Sequence, residues 1–191
     1  MNKPLLVVAI GNASRGDDAL GPALAASLRD DGWFDDDEVE LLEAYQLQVE
    51  DALSLSERRA VLFIDAARAG ANRGAALQPL LPAVGPTAFT HALPPAALLA
   101  LVPRVSASQA PPAWLLAIEG EAFELGAPLS VAARARLAAA LPLARDWLRH
   151  QCSRSPTSSP SHAAAPCSPP AHTGSGPCRS PMTSSPRAAS R

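Results

Sequence analysis

A chain of 191 residues, 48% of them hydrophobic, is long enough to close one well-filled core. Positions 1–150 hold 12 basic and 18 acidic residues, net −6, and the remainder holds 4 basic and none acidic, net +4. An acidic body with 4% aromatic residues argues against a nucleic-acid partner, and no apolar run approaches the roughly 18 residues of a membrane span.

The cysteines, Cys152, Cys167 and Cys178, all follow residue 150, so the body has no disulfide framework, cysteine zinc knuckle or thiol nucleophile. The apolar part of "MNKPLLVVAIGN" is too short for a signal peptide, which points to a cytoplasmic protein. The expected division is an α/β domain over 1–150 and a disordered tail over 151–191. From Ser153 onward the chain is Pro/Ser/Ala-rich with no Leu, Ile, Val or aromatic residue to offset the entropy of ordering. Its cysteines form no C-x-x-C pair and read as incidental; loose metal binding with His162 and His172 is the alternative.

In chain order, "PLLVVAI" (4–10) is a continuous apolar run ending in Gly-Asn, as a buried parallel strand reads. Leu20 to Arg29 has helical spacing with Pro22 in the first turn and Asp17 and Asp18 as candidate caps. "DEVELLEA" (37–44) is a second strand, "VEDALSLSERRA" (49–60) a short helix, and "AVLFIDA" (60–66) another buried strand. "GAALQPLL" (74–81) is an extended or hairpin segment, and "PPAALLALVPR" a helix entered through proline. "AWLLAIEG" (113–120) is a further buried strand. The segment 130–150 is the last helix, with Ser130 as its cap and Pro142 as a kink. Alternating strands and helices predict a single three-layer α/β domain, a mostly parallel twisted sheet with helices on both faces.

Three residues stand out for chemistry. Asp18 lies in "GNASRGDDALG" after the first strand, Asp65 ends "AVLFIDAA", and His91 sits in "FTHALPP" ahead of a helix. Strand ends and the loops after them are where open α/β sheets bind ligands. Two carboxylates and an imidazole there suit a divalent cation or acid–base work. The first turn lacks the G-x-G-x-x-G spacing of a dinucleotide fingerprint, and its paired aspartates would repel a pyrophosphate. Lys3 is the sole lysine, so a lysine-type phosphate loop is excluded.

Each candidate has a structural alternative. Asp17 and Asp18 compete for one capping role; Asp17 is expected to cap, making Asp17→Asn a loss of roughly 1 kcal/mol, and Asp18 to serve as ligand. Asp65, if buried, needs a partner, and Arg68 or Arg73 could supply one. His150 ends the last helix, where an imidazolium favours the dipole. The aspartates of "DDGWFDDDEVE" (30–40) lack the spacing of a calcium loop and read as a solvated connection. Glu119 and Glu121 either line the same sheet edge or serve packing. Ser14 is the one well-placed hydroxyl nucleophile, without a G-x-S-x-G elbow.

With these motifs in hand, the chain resembles the hydrogenase maturation endopeptidases, which trim the C-terminus of [NiFe]-hydrogenase large subunits. The resemblance rests on "VVAIGNASRGDDALGP", "LFIDAA" and "FTHALPPAALLAL", and covers about residues 4–148. It implies that Asp18, Asp65 and His91 bind nickel and form the catalytic centre. The metal would be supplied by the large-subunit precursor, the implied partner, and held only weakly by the enzyme alone. Departures are Ala9, where glycine is usual two places before Gly11, and Ala19, where glycine often follows the acidic pair. The water is activated either by a carboxylate base or by nickel as Lewis acid. Two other classes stay open: a metal-dependent hydrolase of small substrates, and a non-catalytic assembly factor that only grasps nickel.

Overall fold

The computed structural model describes residues 2–34, 37–68, 70, 74–83 and 93–154. His91, Arg73, Asp35, Asp36 and the tail from residue 155, with Cys167, Cys178, His162 and His172, lie outside the described residues.

Five strands form one sheet: β1 (Leu5–Ile10), β2 (Val39–Ala44), β3 (Ala60–Arg68), β4 (Ala75–Leu80) and β5 (Ala113–Gly120), in the order β2-β1-β3-β5-β4. Four run parallel and β4 alone is antiparallel, at the edge beside β5. That edge position explains how β4 tolerates Pro79, which has no N–H to give to a ladder. All six β1 residues and the first five of β3 are buried, which is why both segments read as unbroken apolar runs.

Side-chain alternation divides the core into two layers. Leu5, Val7, Leu62 and Ile64 pack with α1 (Leu20–Asp30) and α4 (Val131–Cys152); Leu6, Val8, Val61 and Phe63 pack with α2 (Asp51–Ser54) and α3 (Pro95–Val105). The expected three-layer α/β domain is the one observed. Ser130 caps α4 as expected, its hydroxyl accepting the Ala133 N–H at 3.0 Å, and the helix continues through Pro142 with His150 in its last turn.

Two local expectations are corrected. The helix expected over 49–60 stops at Ser54, because Arg58 is drawn to the amino edge of the sheet. There its buried guanidinium donates to the Ser54 and Lys3 carbonyls and to Glu40 at 2.6–2.8 Å. The α1 cap is Ala19, with no side-chain hydrogen bond, so neither Asp17 nor Asp18 caps that helix. A single 3₁₀ turn, Gly16–Ala19, leads into it.

Candidate functional site at the carboxyl edge of the sheet

From β1 the chain turns toward β2 on one side, while β3 pairs with β1 on the other. A crevice opens at such a reversal, between loops that leave in different directions. Two glycines make it possible here. Gly11, at φ +135°, leaves no room for a Cβ, which would lie 2.0 Å from the Asp18 carbonyl oxygen. Gly21 lets the start of α1 rest on the strand ends: a Cβ there would meet the Ile10 carbonyl oxygen at 2.2 Å and that of Ile64 at 3.0 Å. These close approaches bring the 3₁₀ turn over β1 and β3.

A cleft of about 340 Å³ results, lined by both Asp18 and Asp65, with Ile10, Leu47 and Leu93 forming part of its apolar wall. Asp18 accepts the Asn12 N–H at 3.0 Å. Asp65 falls on β3 one residue beyond the last pairing with β1, Ala9 to Ile64, and by alternation shares the face of Val61 and Phe63. Burial pushes the Asp65 carboxyl up to about 6; the Ala66 N–H favours its charged form, and the neighbouring Asp18 charge opposes it. A carboxyl so placed exchanges protons near neutral pH and suits acid–base work or cation binding. Arg68, a possible partner from sequence, forms no ion pair with Asp65 among the described residues. His91 lies outside the described residues; Leu93, Pro94 and Pro95, directly after its segment, line the cleft. Among the described residues no three His, Cys, Asp or Glu side chains come together to hold a metal.

Asp17 has a different duty from the expected helix cap. Fully buried, it accepts the N–H groups of Glu121 (2.8 Å), Ala122 (3.1 Å) and Ser130 (2.7 Å) and the Ser130 hydroxyl (2.9 Å). Burial by itself would raise its pKa, but these bonds outweigh burial and hold the carboxyl below its usual range. Asp17 therefore stitches the β1–α1 turn to the β5–α4 connection. Backbone bonds from Gly16 to Ala127 and from Gly126 to Ser14 complete the seam.

Glu119 is buried and accepts the N–H groups of Gly70 and Gly74, both at 2.9 Å, fastening the β3–β4 connection. Glu121 is half exposed, 3.8 Å from Arg136. Neither lines the cleft with Asp18 and Asp65, and neither does Ser14.

Sequence reasoning passed over Asn12, Tyr45 and Arg15. The Asn12 side chain donates to the Tyr45 hydroxyl at 2.9 Å and accepts the Ser14 N–H at 2.9 Å, so one residue shapes the turn and positions an aromatic ring on the cleft wall. The Gly-Asn pair after the first strand was the available signal.

The chain matches no protein-family model and no curated protein sequence. Solved structures with the same fold include a hydrogenase maturating endopeptidase, HybD, from E. coli, with 20% identity and a TM-score of 0.59, covering 77% of this chain and 93% of that one. The [NiFe] hydrogenase maturation protease HycI from Thermococcus kodakarensis KOD1 has 22% identity and a TM-score of 0.58, covering 78% and 93%. An endopeptidase from Escherichia coli has 22% identity and a TM-score of 0.57, covering 79% and 99%. At these identities the likeness is one of fold.

Proposed function

We propose that the chain is a peptide hydrolase of the hydrogenase maturation endopeptidase family, removing the C-terminal extension of a nickel-loaded [NiFe]-hydrogenase large-subunit precursor. The observation that carries this reading is the pair Asp18 and Asp65 on one cleft at the carboxyl edge, in a fold shared with HybD and HycI. The order of the three motifs along the sequence supports it independently.

On this reading Asp18, Asp65 and His91 are the nickel-contacting and catalytic residues. Nickel arrives as part of the substrate, held by soft donors of the precursor, while carboxylates and imidazole complete its surroundings from the enzyme side. The Asp18 charge opposes ionisation of Asp65, and a cation brought between the two carboxylates would relieve that opposition. The cleft thus favours a loaded over an unloaded precursor. The scissile peptide lies along the apolar wall, close to the carboxylates.

The test is mass analysis of a nickel-loaded precursor incubated with the protein and with Asp18→Asn, Asp65→Asn and His91→Ala. The expected outcome is loss of the C-terminal extension with the native chain and an intact precursor with each variant, all variants remaining folded. Binding without shortening would instead identify an assembly factor, and turnover of small esters with no effect on the precursor a small-substrate hydrolase.

A further inference from the structure

Beside the cleft, and sharing Asp18 and Arg15 with it, lies a second recess of about 230 Å³ lined by Arg15, Asp18, Ala66, Arg68 and Phe123. Its two guanidinium groups are organised by one residue. Arg15 donates from Nε to the Phe123 carbonyl at 2.8 Å, and Arg68 lies over the Phe123 ring, 5.8 Å from its centroid. Phe123 is itself seated against Gly120, where a Cβ would come within 2.8 Å of the ring.

Six other arginines pair with carboxylates: Arg29, Arg58, Arg59, Arg136, Arg145 and Arg149. Arg15, Arg68, Arg104, Arg134 and Arg154 form no ion pair among the described residues, and of these five Arg15 and Arg68 line the recess, together with Asp18. Two preorganised planar cations, their N–H forks unclaimed by an acid, match a carboxylate in charge and shape.

We infer that Arg15 and Arg68 form a carboxylate-binding subsite that holds an acidic group of the substrate peptide beside Asp18. The inference rests on the peptide-hydrolase reading for its substrate class. The carboxylate comes from an acidic side chain or from a chain terminus, and either would fix the register of the peptide along the cleft. Arg15 and Arg68 are positioning residues for this purpose and take no part in bond cleavage.

The test reads binding separately from cleavage. Three short peptides of otherwise identical sequence are titrated into the full-length protein: one with an internal glutamate and an amidated end, one with glutamine and an amidated end, and one with glutamine and a free C-terminal carboxylate. Calorimetry gives affinity, and the Nε–H resonances of Arg15 and Arg68 report contact. At least one carboxylate-bearing peptide is expected to bind about tenfold more tightly than the uncharged one and to shift both resonances. The source is whichever of the two does so. Arg15→Gln/Arg68→Gln should erase the difference, Arg68→Lys should restore part of it, and 1 M salt should weaken it. In precursor processing the double variant should raise KM with kcat nearly unchanged. Equal affinity for all three peptides, or a preference surviving in a folded double variant, would overturn the subsite. So would inorganic phosphate displacing neither acidic peptide. If an acidic peptide binds through the two arginines while no precursor is cut, the subsite stands and the processing reading fails.

Discussion

At the scale of single residues, the neighbours Asp17 and Asp18 divide labour in a way their sequence conceals. Asp18 is at the cleft, whereas Asp17 is sealed inside and bonded to residues 104 to 113 positions away. No local pattern announces partners at that distance, so a helix cap was the natural expectation for it. The consequence is a reversal in expected severity. Both Asp17 oxygens accept from donors, so in Asp17→Asn either orientation of the amide sets its NH₂ against an N–H or hydroxyl. Asp17→Asn should therefore cost about 3 kcal/mol, well above a lost cap, as measured by denaturant unfolding. The pH dependence follows the depressed pKa: the stabilisation is present above the unfolded value of 3.8 and is lost as pH falls through the lower folded value.

Asp65 behaves oppositely. Its folded pKa of about 6 exceeds the model-peptide value of 3.8, so between these values the folded state holds the proton more tightly. Stability then falls as pH rises across that window and is lowest, for this group, above about 6. Asp65→Asn removes the charge, and in the metal-free protein should stabilise by on the order of 2 kcal/mol at pH 7. The gain should fade below pH ~4, where wild-type Asp65 is protonated in both states. Thermal unfolding of both proteins from pH 3.5 to pH 8 checks the crossover; a pH-independent difference would mean that Asp65 does not titrate as its burial dictates.

At the scale of elements, strands were the most legible feature. β1 and β3 are covered on both faces, and that burial is written directly as continuous apolar sequence. β4 was ambiguous because an edge strand is half solvated and tolerates proline, so its pattern is diluted. The helix at 49–60 was overextended because the energetics of Arg58 lie in long-range bonds to Lys3 and Glu40. Glycines inside elements carry a further prediction. Gly21 lies in α1, where alanine should favour the helix by about 1 kcal/mol. Its Cβ would collide with the Ile10 carbonyl, so Gly21→Ala should instead destabilise by about 3 kcal/mol or more. Raised helix stability with an unchanged melting temperature would show that α1 does not press on the strand ends as described.

At the scale of the molecule, the position of the cleft at the sheet edge is legible because topology leaves little choice. The alternation of strands and helices implies a mostly parallel sheet, and the strand order places a reversal beside β1. That Asp18 and Asp65 both reach the cleft is legible for the same reason, Asp65 directly following a buried run and Asp18 lying in the turn after another. Arg15, Asn12 and Tyr45 are not, since what recommends them is proximity created by folding: the β1–α1 turn meets the β5–α4 connection at Arg15 and the segment after β2 at Asn12 and Tyr45. On the central claim, two carboxylates and an imidazole leave half of an octahedral shell open and include no soft donor, so tight nickel retention needs sulfur from the precursor. The decisive measurement is processing of one precursor with and without nickel, beside titration of nickel into this protein alone. The account predicts shortening of the loaded precursor, an intact nickel-free precursor and weak nickel binding by the isolated chain. Undiminished cleavage of the nickel-free precursor, or a nickel ion retained tightly through purification, would contradict it.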